Sequence, residues 1–354
     1  MNAQRRDGAH GDAIVLAVDG GGAKTDLALL DGTGSLLSFV RGGTSQVHYL
    51  GVEGCVGVLE GLLGRAVADA GLGELVRPFA ATAQVLLAGA DLPEELSTLR
   101  ARIGELLWSE RLVVDNDTLA VLRAGSDRGW GVAVVCGAGI NGLGVAPDGR
   151  TARFLSLGEI SGDWGGGADV GLAALAAAAR GADGRGPRTV LEAAVAAHFG
   201  YSDPLDVTRA LHRGELAKSR LGELVPVVFA ASEQDTVAAG IVRRLADEVT
   251  AFASAALRRL DLTEADPDVV LGGRLLRAAS SDVVDTIAHA VHEVAPNARV
   301  LVSASDPIVG AALLGFDALG ADASVGGRAR HELDAAIGRL ADSQPVFDGQ
   351  ADDG

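Results

Sequence analysis

Residues 14–25 read IVLAVDGGGAKT: five apolar residues, an acid, three glycines, then Ala23-Lys24-Thr25. An unbroken apolar run of this length, stopped by glycines, reads as a buried strand entering a tight turn. Glycine has no Cβ, so the amides of Gly20, Gly21 and Gly22 can approach phosphate oxygens closely. Asp19, at the strand's end, is placed to hold a divalent cation, and Thr25 adds a hydroxyl. The spacing is not that of a P-loop, which puts four residues between its first glycine and its Gly-Lys pair, nor that of GxGxxG. Alone, the segment reads equally well as a hairpin turn that needs glycine.

Working outward, Asp26–Leu30 and Ser35–Val40 follow at hairpin spacing around Asp31-Gly32. A helix over Val52–Gly71 completes a β-β-β-α opening. Phe79–Gly89 contains a strand, Pro93–Leu107 a helix, and Arg111–Val114 a strand that stops at Asp115-Asn116-Asp117. The opening theme then returns more than a hundred residues downstream. Gly131–Cys136 ends in Gly137-Ala138-Gly139, Gly142–Ala146 turns at Pro147-Asp148-Gly149, and Thr151–Leu155 follows. This is a structural duplication without a sequence repeat. Asp235–Leu260 carries a helical stripe of Ile241, Leu245, Val249, Phe252, Ala256 and Leu257. Asp268–Leu271 is a strand ending in Gly272-Gly273-Arg274, Arg299–Val302 another, and helices start at Pro307 and span Arg328–Leu340. Residues 1–12 and 341–354 read as loose tails.

The 354 residues suggest two domains, and 48% hydrophobic against 22% charged residues is ample for a core. A net charge of −17 argues against a nucleic-acid partner. Two cysteines, Cys55 and Cys136, make no disulfide framework, which fits a reducing, cytoplasmic setting. The amino-terminal stretch lacks a signal-peptide apolar run, and no segment is apolar for long enough to span a membrane.

Three further stretches can carry chemistry. Asp115-Asn116-Asp117 precedes a helix over Thr118–Ala124, so one of the three can cap it while another acts as a general base. Residues 156–171, SLGEISGDWGGGADVG, set Glu159, Asp163 and Trp164 among glycines. Carboxylates for polar groups and a ring for an apolar sugar face would make a sugar pocket; the alternative is a packed loop around a buried Trp164. Ser45, Gln46 and His48, after the third strand, can reach a sugar or simply be solvated. His289 and His292 lack an HExxH context, and GxSxG is absent.

Taken jointly, these motifs resemble the BadF/BadG/BcrA/BcrD-type ATPase and N-acetylglucosamine kinase family of the actin–hexokinase–Hsp70 superfold, over about Ile14 to Leu314. VDGGGAKT matches its first phosphate loop, VVCGAGIN its second and VVLGGRLL its adenosine region. QVHYLG, NDTLAVLRAG, GDWGGG and DGRG at Asp183–Gly186 look like a bacterial subgroup associated with glucosamine kinases.

The resemblance implies an α/β fold of two ribonuclease-H-like lobes around a nucleotide cleft, with lobes at 13–118 and 119–320 and a helix at 321–340 packing on the first. It implies ATP and Mg²⁺, with transfer to a sugar 6-hydroxyl. Asp19 would lie near Mg²⁺, Gly20–Thr25 (including Ala23 and Lys24) and Gly137, Ala138 and Gly139 would hold phosphates, and Gly272 and Gly273 would flank adenine. Asp117 would be the base, beside Asn116, and Asp163 would contact the sugar. The chain departs from the family pattern at Ser45-Gln46-Val47-His48, where Asn-His is common, at Trp164, where Glu is common, and at Ala138, where a hydroxyl residue is usual. Glucosamine is the first expected substrate, its ammonium paired with Asp163 or Glu159, and N-acetylglucosamine the alternative. An ATPase activator of a dehydratase and a sugar-sensing regulator rank below; a homodimer is left open.

Overall fold

The computed structural model describes residues 13–74 and 76–343. The tails read at 1–12 and 341–354 lie outside the described residues, except that 341–343 continue a helix. The chain divides into two compact units: residues through Ala120 together with those from Ser305 onward, and Val121–Ala304.

In the first unit, β1 (Ile14–Gly20), β2 (Thr25–Asp31) and β3 (Leu36–Gly42) form an antiparallel meander. Then come α1 (Val47–Asp69), β4 (Ala80–Leu87), α2 (Pro93–Gly104) and β5 (Ser109–Asp115). The sheet order is β3-β2-β1-β4-β5, with β4 parallel to β1 and β5 parallel to β4. Leu16 and Val18 of β1 enter one apolar cluster with α1, whereas Val15 and Ala17 enter another on the opposite face. A strand buried on both faces has no polar side, which is why its sequence does not alternate. α1 starts at Val47, earlier than the sequence placed it, and breaks at Gly51 (φ 66°, ψ 174°) before resuming. That glycine sits in the left-handed region, so residues 47–50 fold as a separate short helical turn.

The chain passes into the second unit within α3 (Thr118–Gly125). There β6 (Gly131–Cys136), β7 (Ile140–Val145) and β8 (Thr151–Arg153) form a second meander. Four helices follow, α4 (Gly167–Ala182), α5 (Leu191–His198), α6 (Pro204–Arg213) and α7 (Val225–Ser232), then the long α8 (Thr236–Arg259). β9 (Asp268–Gly272), α9 (Gly273–Ala278), α10 (Ser281–His292) and β10 (Arg299–Val302) complete it. The order β8-β7-β6-β9-β10, with β9 parallel to β6 and β10 parallel to β9, repeats the first unit's topology strand for strand. α8 packs on β6 and β7, with Phe252 edge-on to Phe154 at 4.8 Å.

α11 (Pro307–Leu319) and α12 (Ala323–Ser343) belong to the first unit. Residues 305–320, which the sequence reading assigned to the second lobe, join the first because Ile308, Val309, Ala312 and Phe316 cover the second face of β1. Gly315 makes this approach possible, since a Cβ there would lie 2.5 Å from Val15 Cγ1. α12 packs on α11 and β3, and the Leu36 amide donates to Glu332 at 2.9 Å.

One buried charge locks the second sheet. Asp268 is fully buried, accepts Arg299 Nε and Nη2 at 2.7 and 2.8 Å, and accepts the Ser126 hydroxyl at 2.6 Å. Arg299 is half exposed, so Asp268 is the charge that burial strands when the pair is broken. Arg299→Ala is therefore expected to lower unfolding stability by about 3 kcal/mol, read as a reduced urea midpoint at unchanged m-value.

Candidate functional site

In the first unit, β1 delivers Asp19 into the turn Gly20–Lys24, closed by the Gly21 amide donating to the Lys24 carbonyl at 2.8 Å, with Ala23 inside it. The Thr44 hydroxyl donates to the Gly21 carbonyl at 3.0 Å and accepts the Gln46 amide at 3.1 Å, fixing the segment after β3 against the turn. Gly20 is demanded by packing, since a Cβ would lie 2.3 Å from Ser45 Oγ. Thr25 Oγ1 and Ser45 Oγ are both fully buried with no hydrogen-bond partner among the described residues. A buried hydroxyl without a partner costs about 1–3 kcal/mol, so two of them beside one glycine turn fit a site completed by a ligand.

The turn's charges form a compact group. Asp26 is fully buried and accepts Lys24 Nζ at 2.8 Å and Arg41 Nε and Nη2 at 2.5 and 2.8 Å. Lys24 also reaches Asp306 at 3.2 Å. Its ammonium is thus engaged by two carboxylates. Burial, then the neighbouring charges of Asp117 and Asp26, hold the Asp19 carboxyl well above the usual range, while Lys24 opposes the rise. A carboxylate crowded by other carboxylates is stabilised by a cation. Among the described residues no group of three or more His, Cys, Asp or Glu could by itself hold a metal. Mg²⁺ needs no such cage, because one carboxylate with phosphate oxygens and waters suffices, so the residues present fit it.

At the end of β5, Asn116 caps α3: its Oδ1 accepts the Thr118 amide at 3.0 Å and the Thr118 hydroxyl at 2.6 Å. Asn116 Nδ2 donates to Asp91 at 2.7 Å. Of the three candidates Asp115, Asn116 and Asp117, the cap is therefore Asn116. Burial raises the Asp117 carboxyl to about 7, the Asp91 charge adds to the rise, and the amides of Asp117 and Thr118 oppose it. Gly89 (φ 75°) packs under Gln46 and His48, where a Cβ would lie 2.8 Å from His48 Cδ2 and 3.1 Å from Gln46 Nε2. His48 Nε2 lies 3.7 Å from Glu95 Oε1. The segment holding Ser45, Gln46 and His48 thus lies on the β4–α2 turn whose Asp91 grips Asn116. Asp91, Asp26, Arg41 and Asp306 were not singled out in the sequence; Asp306 alone offered a signal, an acid directly before the helix-starting Pro307.

In the second unit, the Gly137 amide donates to the Gly139 carbonyl at 2.8 Å, and the Gly167 amide donates to the Gly137 carbonyl at 2.9 Å. A Cβ at Gly166 would lie 2.2 Å from the Ala138 carbonyl, and one at Gly273 (φ 86°) 2.2 Å from the Cys136 carbonyl. Three glycine segments therefore meet backbone to backbone around residues 136–139. Gly272 is likewise a packing glycine, against Val121. Gly137 and Gly139 differ: both face open space and neither has a positive φ. Among the described residues nothing requires glycine at these two positions, which suits a loop approached by a ligand.

The segment 156–167 splits in function. Asp169 accepts the amides of Gly165 and Gly166 at 3.1 and 3.0 Å and so caps α4. Asp163 accepts a very short hydrogen bond from the Ser161 hydroxyl, whose oxygen also accepts the Leu157 amide at 2.7 Å. Glu159 is exposed on a single 3₁₀ turn, Gly158–Ile160. Trp164 packs on the unit's apolar core, with the Arg244 guanidinium carbon 4.0 Å from its ring centroid. The ring read as a sugar platform thus carries a cation over one face while packing on the core. Both cysteines are buried, which pushes the Cys55 thiol to about 11 and Cys136 higher still, away from thiolate chemistry.

Two units, each with a three-stranded antiparallel meander continued by two parallel strands, define the duplicated ribonuclease-H-like fold of the actin–hexokinase–Hsp70 type. The chain belongs to the BadF/BadG/BcrA/BcrD ATPase family, whose model matches residues 16–315. It is similar to an N-acetylmuramic acid/N-acetylglucosamine kinase of Clostridium acetobutylicum, 29% identical over 238 residues, 66% of this chain and 76% of that protein. It is also similar to an N-acetyl-D-glucosamine kinase of Dictyostelium discoideum, 24% identical over 86% of this chain and 98% of that protein. A solved structure from Chromobacterium violaceum, provisionally named an N-acetylglucosamine kinase, superposes with a TM-score of 0.69 at 24% identity, covering 86% of this chain and 99% of that one. Among the described residues, no helix is long and apolar enough to cross a membrane.

Proposed function

We propose that the protein is an ATP-dependent kinase of amino sugars, with N-acetylglucosamine as first substrate. The observation that carries the reading is Asp117, a carboxyl raised to about 7 at the start of α3 and flanked by Asn116 and Asp91. A base poised near neutrality can take a proton from an attacking hydroxyl. The sugar oxygen then bonds to the γ-phosphorus as the bond to the β-phosphate oxygen breaks, and ADP leaves. In this reading the amides of Gly20–Thr25 and of Gly137–Gly139 bind phosphate oxygens, and Gly272-Gly273 border the adenosine. Asp19 would hold Mg²⁺, which when bound neutralises phosphate charge. Ser45, Gln46, His48, Asn116 and Asp163 bind the sugar.

The sequence favoured glucosamine; the two curated relatives, both kinases of N-acetylated sugars by name, support the N-acetylated substrate ahead of it. One observation keeps glucosamine as a second reading: burial raises the Glu248 carboxyl, Arg244 opposes the rise, and the nearby charges of Asp163 and Asp169 add to it, an acidic environment suited to an ammonium group. A coupled ADP-release assay over N-acetylglucosamine, glucosamine, N-acetylmuramic acid and glucose tests the assignment. Turnover is expected with at least one amino sugar and should vanish on chelation of divalent metal. No turnover on any of the four, or a preference for glucose, rejects it.

A further inference from the structure

Arg244 lies on α8, outside every motif described above. Its guanidinium stacks over Trp164 at 4.0 Å, and its Nε stands 3.9 Å from Glu248 Oε1, one helical turn on. Trp164 is bonded through the chain to Asp163 on one side and Gly165 on the other. Gly165 itself rests on α8, since a Cβ there would lie 3.3 Å from Leu245 Cδ1 and 3.2 Å from Ile140 Cδ1. The same helix thus borders the loop at Gly165 and places a cation over its aromatic ring. Burial raises the Glu248 carboxyl, Asp163, Asp247 and Asp169 push it further, and Arg244 is the cation that opposes them.

We infer that Arg244 is a positioning residue for the sugar site: through Trp164 it restrains the chain next to Asp163, whose carboxylate the Ser161 hydroxyl holds, and its charge offsets the repulsion between Asp163 and Glu248. The inference rests on the reading of Asp163 as a sugar ligand. It goes beyond that reading by assigning substrate affinity to a residue that need not touch substrate. A guanidinium over an indole makes a favourable contact that also restricts the ring. Its loss loosens the loop on the carboxyl-terminal side of Asp163, which Ser161 and the Gly158 carbonyl hold from the other side, while Gly166 and Gly167 stay pinned to residues 137–139 by backbone packing. Sugar affinity should therefore suffer and nucleotide affinity should not.

The test is steady-state kinetics of the full chain on the best sugar of the substrate screen. In Arg244→Ala the sugar KM should rise about fivefold to tenfold, with kcat and the KM for ATP within about twofold. Adding Glu248→Gln to Arg244→Ala should recover part of the lost affinity, because it removes the unopposed charge facing Asp163. Trp164→Phe, which keeps a ring under the guanidinium, should cost less than Trp164→Ala. A merely structural role would lower melting temperature and all kinetic constants together and would not respond to Glu248→Gln. An unchanged sugar KM in Arg244→Ala, or a matching rise in the KM for ATP, overturns the inference. If the wild-type protein phosphorylates no sugar, the functional reading fails instead, so the two failures are distinct.

Discussion

Asp117→Asn should abolish phosphoryl transfer, lowering kcat by about 10²–10⁴-fold while nucleotide still binds. Asn keeps the shape and loses the ability to accept a proton. The wild-type pH profile should follow the same group. With the carboxyl raised to about 7, the base is protonated below that pH, so kcat/KM should climb as pH rises through about 7 and then level. Stability runs the other way. An acid whose folded pKa exceeds its ordinary 3.8 binds more protons folded than unfolded between those values. Folding is thus progressively penalised as pH rises from about 4 to 7. Asp117→Asn removes the penalty and relieves repulsion with Asp91 and Asp19. Its melting temperature should exceed wild type at pH 8, with the gain shrinking toward pH 4. A dead variant that melts higher at pH 8 separates lost chemistry from lost folding; retained full turnover would reject Asp117 as the base.

The second large effect is expected at Gly166. A Cβ there would meet the Ala138 carbonyl at 2.2 Å, backbone against backbone, with no flexible side chain to yield. Gly166→Ala must therefore displace residues 137–139 or the start of α4. The expected cost is about 2–4 kcal/mol in stability, and a KM for ATP raised about tenfold if residues 137–139 bind phosphate. Gly240→Ala is the control. It lies inside α8 with nothing near its Cβ position and should be neutral or stabilising by about 0.5–1 kcal/mol. Equal behaviour of the two variants in nucleotide titration and thermal melting would refute the packing argument.

The first strands and the long helix α8 were legible because their signals are local. The apolar run at Ile14, the Asp31-Gly32 turn and the stripe from Ile241 to Leu257 each carry their own period. The duplication was legible because the same local signals recur in the same order. Where α11 belongs was not, since that depends on Val15 and Gly315 meeting across some three hundred residues, and neither residue advertises its partner. For the candidate site, the glycine turns and Asp117 could be singled out from type and position. Which glycines serve packing and which face open space needs coordinates: Gly139 and Gly166 look alike in a sequence. The partner of Trp164 is hidden in the sequence for the same reason, because the cation over its ring comes from a helix some eighty residues on.

The covering of β1 has a consequence for how the molecule reaches its native state. One face of that strand is closed by segments that follow it within the first hundred residues, the other by a helix that begins only at Pro307. During synthesis the amino-terminal sheet therefore waits, with one apolar side bare, while the whole of Val121–Ala304 is made and can fold as an uninterrupted stretch. Contacts of such sequence separation form slowly and leave sticky surface open to aggregation. Refolding from denaturant should accordingly be sensitive to protein concentration, with the second unit recovering structure ahead of the first.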